Sequence, residues 1–331
     1  MAISIACCIT AYYNYDFNSS FDFYHQNAEN LYRVNMVREF QGKVTEYGLV
    51  PVPLGETIRD NVADVQALSR YSATYAEFKL DDEIFDSNVS YVDKDFFSMF
   101  TFEFLHGSPV VIQDKSNLII SDELAMRLFN TTDAVGKSLV HILQEGKVKD
   151  YVVGAVFKLP PTNTSFNDPA YTIYDNYWEI APELNQGASW NFRNTTFLQL
   201  NDPSRIGAVE KQLLPYIENN NKVREDFIIQ SYKLDPFIGM AVRDTYSERP
   251  GAYTRDASPL AAVVGCAIMG ILVLLIACFN LTNTSIAISS RRLKEIGIRK
   301  VMGSKRGQLI AQFIGETTLI CLVALLLGML L

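Results

Sequence analysis

The sequence predicts an α+β domain attached to transmembrane α-helices, the domain being a ferredoxin-like β-α-β lobe with a second α/β lobe inserted in it. Three observations carry this. Pro259 to Leu281 gives 23 consecutive residues without a charge, inside an uncharged stretch from Ala257 to Ser290. As a helix rising ~1.5 Å per residue, that run crosses a hydrocarbon core of about 30 Å. A basic connector, RRLKEIGIRKVMGSKRGQ, follows from Arg291, and a second apolar run ends at Leu331. Between Asn14 and Asp256 the order strand, helix, strand occurs twice, on either side of a long insertion.

In the first of these units, LYRVNMVREF alternates as a strand, PLGETIRDN reads as a short helix after Pro53, and VQALSRYSA returns as a strand. In the second, TTFLQL is followed by Asp202-Pro203, a helix cap and a first helical position, and by Ile206, Val209, Leu213 and Ile217 on one helical face. FIIQSYKL then closes the unit. Two such halves combine into a split β-α-β fold. Within the insertion, NLII, a helix DELAMRLF capped by Ser121, and YVVGAVFKL read as strand, helix and strand. Pro160-Pro161 and the polar residues after it read as an exposed loop.

The connector sets orientation. From Arg291 to Arg306 it holds seven basic residues against Glu295, a net +6. Short loops rich in Lys and Arg stay in the cytoplasm, so everything before Pro259 is expected outside. A nucleic-acid patch would not explain the apolar runs on either side, and no nucleic-acid partner is expected. Taking the connector and Glu316 from the chain's −8 leaves −13, all between Asn14 and Asp256. The five cysteines, Cys7, Cys8, Cys266, Cys278 and Cys321, all lie in the apolar terminal segments. The acidic outer domain therefore has no disulfide, which suits a bacterial periplasm.

The ends are expected to be those of a fragment. MAISIACCITAYY is too short to span and lacks a basic flank or a cleavage site of the signal-peptide kind. Gln308, Gln312 and Glu316 recur at i, i+4, i+8 as a polar stripe, leaving Thr317 to Leu331, about 22 Å of helix, free of stronger polar groups. The expected organisation is the end of a first transmembrane helix (1–15), an outer domain (16–256), a second helix (257–286), the connector (287–307) and the start of a third helix (308–331). The β-α-β lobe occupies about 30–75 and 191–245, and the inserted lobe about 76–190. Tyr12, Tyr13 and Tyr15 suit the outer membrane interface.

The run LIACFNLTNTSIAISSRRLKEIGIRKVMGSKRGQLIAQFIGETTLI resembles the FtsX-like or MacB-like permease family of ABC transporters. The similar parts are Phe279-Asn280, the string from Arg292 to Lys300, the Gly303-Ser304 turn, and Gln312 to Glu316. FYHQNAENLYRV, YVDKDFFSMFTFEFLHG, IISDELAMRLF and GKSL resemble the family's periplasmic core domain. The resemblance implies a porter-like lobe near the membrane with a second lobe inserted, in the bacterial cytoplasmic (inner) membrane. It implies a permease subunit that is no enzyme and holds no cofactor, coupling ATP hydrolysis by a cytoplasmic ABC ATPase dimer to change in the periplasmic domain. The purpose would be efflux or extraction of a hydrophobic or peptide cargo, or mechanotransmission alone. Further expected partners are a second permease copy or half, membrane lipid and a periplasmic adaptor.

The residues expected to couple to the ATPase are Arg291, Arg292, Leu293, Lys294, Glu295, Ile296, Arg299 and Lys300. Leu293, Ile296 and Lys300 or Val301 are expected on related faces for docking in a partner groove, with Arg292, Lys294 and Arg299 pointing elsewhere to pair with acids. The bland alternative is an anchor on anionic headgroups.

Other motifs are quiet. Gly136-Lys137-Ser138 resembles the end of a phosphate loop, but Thr131 stands where the first glycine belongs, so a turn entering a strand is expected. His25, His106 and His141 are scattered and suggest no metal site, and no G-x-S-x-G turn proposes a catalytic nucleophile. Phe96, Phe97, Phe100, Phe102 and Phe104 are expected as core in preference to a ligand groove. A membrane-anchored extracytoplasmic sensor is the alternative reading. It would follow its second helix with a coiled linker or an output domain, whereas this chain re-enters an apolar run soon after Arg306.

Overall fold

The computed structural model describes residues 1–40, 42–143, 146–180, 190, 192–244 and 253–330, the side chains of Phe40 and Arg291 excepted. The chain divides into two compact units, one of Met1–Ser19 with Ser258–Leu331, the other of Ser20–Ala257. Along the chain the helices are α1 (Ala2–Ser19), α2 (Val52–Asn61), α3 (Phe96–Met99), α4 (Asp122–Phe129), α5 (Tyr177–Ile180), α6 (Ile206–Leu213), α7 (Ile217–Val223), α8 (Met240–Arg243), α9 (Leu260–Arg291), α10 (Leu293–Val301) and α11 (Arg306–Leu330). The strands are β1 (Leu31–Phe40), β2 (Lys43–Tyr47), β3 (Val50–Pro51), β4 (Val65–Leu80), β5 (Glu83–Val92), β6 (Glu103–Gly107), β7 (Asn117–Ser121), β8 (Ser138–Ile142), β9 (Val148–Lys158), β10 (Ala170–Ile173), β11 (Arg193–Leu200) and β12 (Ser231–Pro236).

In the larger unit, sheet order β12-β1-β11-β4 puts β11 between β1 and β4 and antiparallel to both, with β12 antiparallel to β1 on its other side. The units β1-α2-β4 and β11-α6-α7-β12 therefore interleave, which is the split β-α-β arrangement of a ferredoxin-like lobe. Asp202 caps as expected, its side chain accepting from the Ser204 N–H at 2.8 Å. The helix after it is not continuous. Pro215 lies in a 3₁₀ turn (Leu214–Tyr216) that separates α6 from α7, because its ring cannot supply the N–H an uninterrupted helix needs.

The inserted lobe grows from the same sheet. β4 runs past Ala76 to Leu80, turns at Asp81, whose φ is +54°, and returns as β5. From there the order continues β5-β10-β7-β9-β6. β7 and β9 are parallel and joined through α4, whose Leu124 N–H is capped by the Ser121 hydroxyl at 3.1 Å. β8, the strand entered from the Gly136-Lys137-Ser138 turn as expected, pairs with β9 and β4.

Among the described residues, three larger hydrophobic clusters and a small one of Phe21, Ala241 and Ala257 hold this unit. Leu54, Ile58, Val209 and Leu213 of the helices cover Val34, Leu68 and Leu198 of the ferredoxin-like sheet. Leu124, Ala125 and Leu128 cover Leu118, Ile120 and Val153 in the inserted lobe. Ile119, one residue out of phase with Leu118 and Ile120, faces an aromatic cluster on the opposite side with Tyr71, Phe96, Phe100, Phe157, Phe166, Phe197 and Phe237. β7 is thus buried on both faces, which is why it reads as a continuous apolar run. Phe97, Phe102 and Phe104 pack against the aromatic cluster, so the phenylalanine-rich stretch is core. The loop after Pro160-Pro161 is less exposed than expected. Pro161 and Thr162 are exposed, but Thr164, Ser165 and Phe166 are buried.

In the other unit, α1 is 18 residues long and runs past Tyr15 to Ser19. α9 and α11 are long and apolar enough to cross a membrane, and each packs on α1 at a glycine. A Cβ on Gly270 would lie 3.4 Å from Ala11 Cβ, and one on Gly328 would lie 2.9 Å from the Ala2 carbonyl. Such close helix approach is favoured where no hydrophobic effect drives association.

Candidate coupling connector

α9 extends for 32 residues, about 48 Å, longer than a hydrocarbon core, so its last turns reach beyond the apolar layer. It ends at Arg291, and α10 begins at Leu293 after a break of one residue, Arg292. α10 ends in a Schellman-type cap. Gly303 adopts φ +92°, the Ser304 N–H donates to Arg299 O at 3.0 Å, and the Gly303 N–H donates to Lys300 O at 3.2 Å. A left-handed residue here favours glycine and reverses the chain into α11 within a few residues.

The polar stripe of α11 meets one side of α10. Arg292 Nη1 donates to Glu316 Oε2 at 3.0 Å, Gln312 Nε2 donates to Glu316 Oε1 at 3.1 Å, and Arg299 Nη1 donates to Gln312 Oε1 at 2.6 Å. Arg299 Nη2 also donates to Glu295 Oε1 at 2.6 Å. Gln308 accepts from the Lys305 N–H at 3.0 Å, closing the start of α11. Ile296 shares a crevice with Leu309 and Phe313. Arg292, Glu295, Ile296 and Arg299 follow helical spacing, so a single face of α10 carries them all.

The opposite side is bare. Leu293, Ile298, Val301 and Met302 are 67 %, 61 %, 90 % and 80 % exposed, and Lys294 and Lys300 are exposed beside them. The structure therefore divides the connector residues differently from the sequence reading. Ile296 lines the crevice with Leu309 and Phe313 and also shares a pocket with Leu293, whereas Arg292 and Arg299 bond to the chain's own stripe. The Arg291 side chain lies outside the described residues. Lone spacing along α11 could show the stripe but not its partner, because the turn at Gly303 decides which faces meet.

The remaining motifs have structural employment. Gly136, at φ +84°, donates its N–H to Val153 O at 2.8 Å and leads into β8, and Lys137 Nζ lies 5.0 Å from the Phe129 ring. His25 Nδ1 accepts from the Thr101 N–H at 2.9 Å, and burial pushes its pKa down to about 3. His141 packs on Phe78, its pKa lowered to about 4 by burial and by Lys149. Sequence reasoning also misses two buried ionic groups. Arg33 pairs with Asp244 and Asp235, and Arg70 pairs with Asp93 at 2.8 Å and Glu56 at 2.9 Å while lying 4.2 Å over the Tyr174 ring. Neither arginine has a spacing signal, since its partners come from other elements of the fold, a helix, a strand and loops.

Comparison with known proteins matches two parts of the chain. Residues 1–216 match the MacB-like periplasmic core domain, and residues 267–331 match the FtsX-like permease C-terminal region. The macrolide export ATP-binding/permease protein MacB of Salmonella choleraesuis is 24% identical over 246 residues, 73% of this chain and 34% of that protein. The MacB of Agrobacterium fabrum is 25% identical over 254 residues, 74% of this chain and 35% of that protein. The chain spans about a third of the length of these curated relatives. A crystallised domain of a permease protein from Porphyromonas gingivalis has the same fold, with a TM-score of 0.53 at 19% identity over 64% of this chain and 91% of that one.

Proposed function

We propose, for a chain that belongs to the family of MacB-like periplasmic core domains and FtsX-like permeases, the role of ABC-transporter permease subunit, with ATP hydrolysed on a partner. The observation that carries this is the two-sided connector. One face of α10 is held to α11 by Arg292, Arg299, Gln312 and Glu316. The other presents Leu293, Ile298, Val301 and Met302 among lysines. An apolar row with a basic surround fits a groove on a cytoplasmic ATPase that has acids at its rim. The inner latch gives that docking a mechanical use, because it sets which face of α10 meets α11, so that a push on α10 reaches α11 through that face.

The connector's charge orients the chain with α10 in the cytoplasm and Ser20–Ala257 in the periplasm, and the membrane is the inner one. The relatives' name, macrolide export, supports outward movement of a hydrophobic cargo. Purification of the full-length gene product from detergent-solubilised membranes tests the reading. An ABC-type ATPase is expected to co-purify with the natural chain and to be lost from a Leu293→Asp/Val301→Asp variant. Co-purification of a kinase or chemotaxis-type partner with no ATPase would instead establish the sensor reading.

A further inference from the structure

The polypeptide passes between the two units twice, at Ser19–Ser20 and at Ala257–Ser258. Both adjoining segments, 20–25 and 253–257, are bonded to one loop, residues 162–166, which joins β9 to β10. On the first side, Asp22 is the centre. At φ +65° it donates its N–H to Asn163 O at 3.0 Å. Its carboxylate accepts from the Ser165 N–H at 2.7 Å, the Ser165 hydroxyl at 2.6 Å and the Thr164 hydroxyl at 3.1 Å. Asn163 Nδ2 donates to Ser20 O at 3.2 Å and Ser20 Oγ at 3.0 Å, and the Tyr24 hydroxyl lies 2.8 Å from Thr164 Oγ1. On the second side, the Arg255 N–H donates to Ser165 O at 3.1 Å and Arg255 Nη1 to Thr162 O at 2.8 Å. Ser165 is therefore shared, its N–H and hydroxyl given to Asp22 and its carbonyl to Arg255.

The loop is itself anchored. Phe166 is fully buried, with ring centroids 4.5 Å from Phe100, 5.1 Å from Phe96 and 5.4 Å from Tyr71. Two residues later Asp168 accepts from the Ser90 hydroxyl at 2.5 Å and from the Tyr71 hydroxyl. Pro169 O accepts from the Ser121 N–H at 2.8 Å, at the start of α4. The loop thus runs from the two membrane-adjoining segments directly into the strands and helix of the inserted lobe.

We propose that residues 162–166 form a clasp that locks both membrane-adjoining segments to the inserted lobe, so that the segments and the lobe move as one piece. The two segments also meet directly, Phe21 and Ala257 packing together with Ala241, and the shared Ser165 ties both to the loop. A buried acceptor that loses its donors is costly to leave unsatisfied, and Asp22 collects three donors. The clasp rests on the mechanical reading above for its purpose, but its test requires no partner protein and stands if no ATPase is found.

The test is amide hydrogen exchange of the full chain in detergent, comparing the natural sequence with Asp22→Ala. Exchange is expected to rise at least about tenfold in 20–25, in 162–166 and also in 253–257, which Asp22 does not touch, with β1, β4 and β11 unchanged. A rise confined to 20–25 would overturn the proposal. Should Asp22→Ala expose the whole domain, Ser165→Ala removes a single hydroxyl bond and is expected to raise exchange in 20–25 and 253–257 together. An unchanged 253–257 in that variant overturns the proposal equally.

Discussion

Arginines in the outer domain and in the connector make similar bonds to carboxylates, and these bonds do different work. Arg33 is fully buried against Asp244 and Asp235, whereas Arg292 and Glu316 are 43 % and 45 % exposed. Removing one partner of a buried pair leaves a charge in a poorly solvated place and costs about 3–5 kcal/mol, while an exposed pair contributes about 0–1 kcal/mol. The outer domain is therefore built as a rigid body whose ion pairs resist rearrangement. The connector's bonds orient α10 on α11 without freezing it. The difference sets a domain whose ion pairs hold one arrangement against a connector whose polar contacts exchange with water.

The largest expected effect tests the rigid side. Arg33→Ala should lower the unfolding free energy of the outer domain by about 3–5 kcal/mol, read by chemical denaturation of the purified chain. A loss under about 1 kcal/mol would mean that Asp244 and Asp235 reach water and that the comparison is false.

A smaller effect comes from pH. Burial pushes the Asp22 carboxyl up to about 6, outweighing the hydrogen bonds from Ser165 and Thr164 that pull it down. The folded segment thus binds this proton more tightly than the unfolded chain. Its contribution is whole below the ordinary value of 3.8 and is lost as pH rises through about 6. Opening of residues 20–25, measured by exchange corrected for intrinsic chemistry, should be rarer at pH 5 than at pH 7.5. Asp22→Asn should abolish the difference, and a pH dependence that survives this substitution would assign it to another group.

The smallest effect tests the connector. Arg292→Glu should change outer-domain stability by less than about 0.5 kcal/mol yet weaken co-purification of the ATPase, and Arg292→Glu with Glu316→Arg should restore it. Direct contact of Arg292 with the partner predicts no restoration, because the swapped pair would still present an acid where a base had been.

The ferredoxin-like lobe was legible because its strands and helices carry their own periodicity. Val34 and Met36 alternate, Ile206, Val209 and Leu213 share a helical face, and Asp202 and Ser121 are caps whose partners lie within three residues. The continuous β4–β5 ribbon was not, since residues 76–90 mix buried Phe78 and Val89 with exposed Glu83 and Ile84 and break any single pattern. The connector was legible as charge and spacing, and its two faces were not. Arg292 and Arg299 look like Lys294 and Lys300 in one dimension, and only the reversal at Gly303 brings Gln312 and Glu316 to the first pair. The Asp22 cluster left no trace, as its donors lie some 140 positions away.

Photo-crosslinking in living cells tests the central claim most directly, with a benzophenone amino acid replacing Val301 on the bare face and, separately, Phe313 on the latched side. An ABC-type ATPase is expected to crosslink at 301 and not at 313. Crosslinking to an ATPase from 313 alone, or to lipid or a signalling protein from 301, would contradict it.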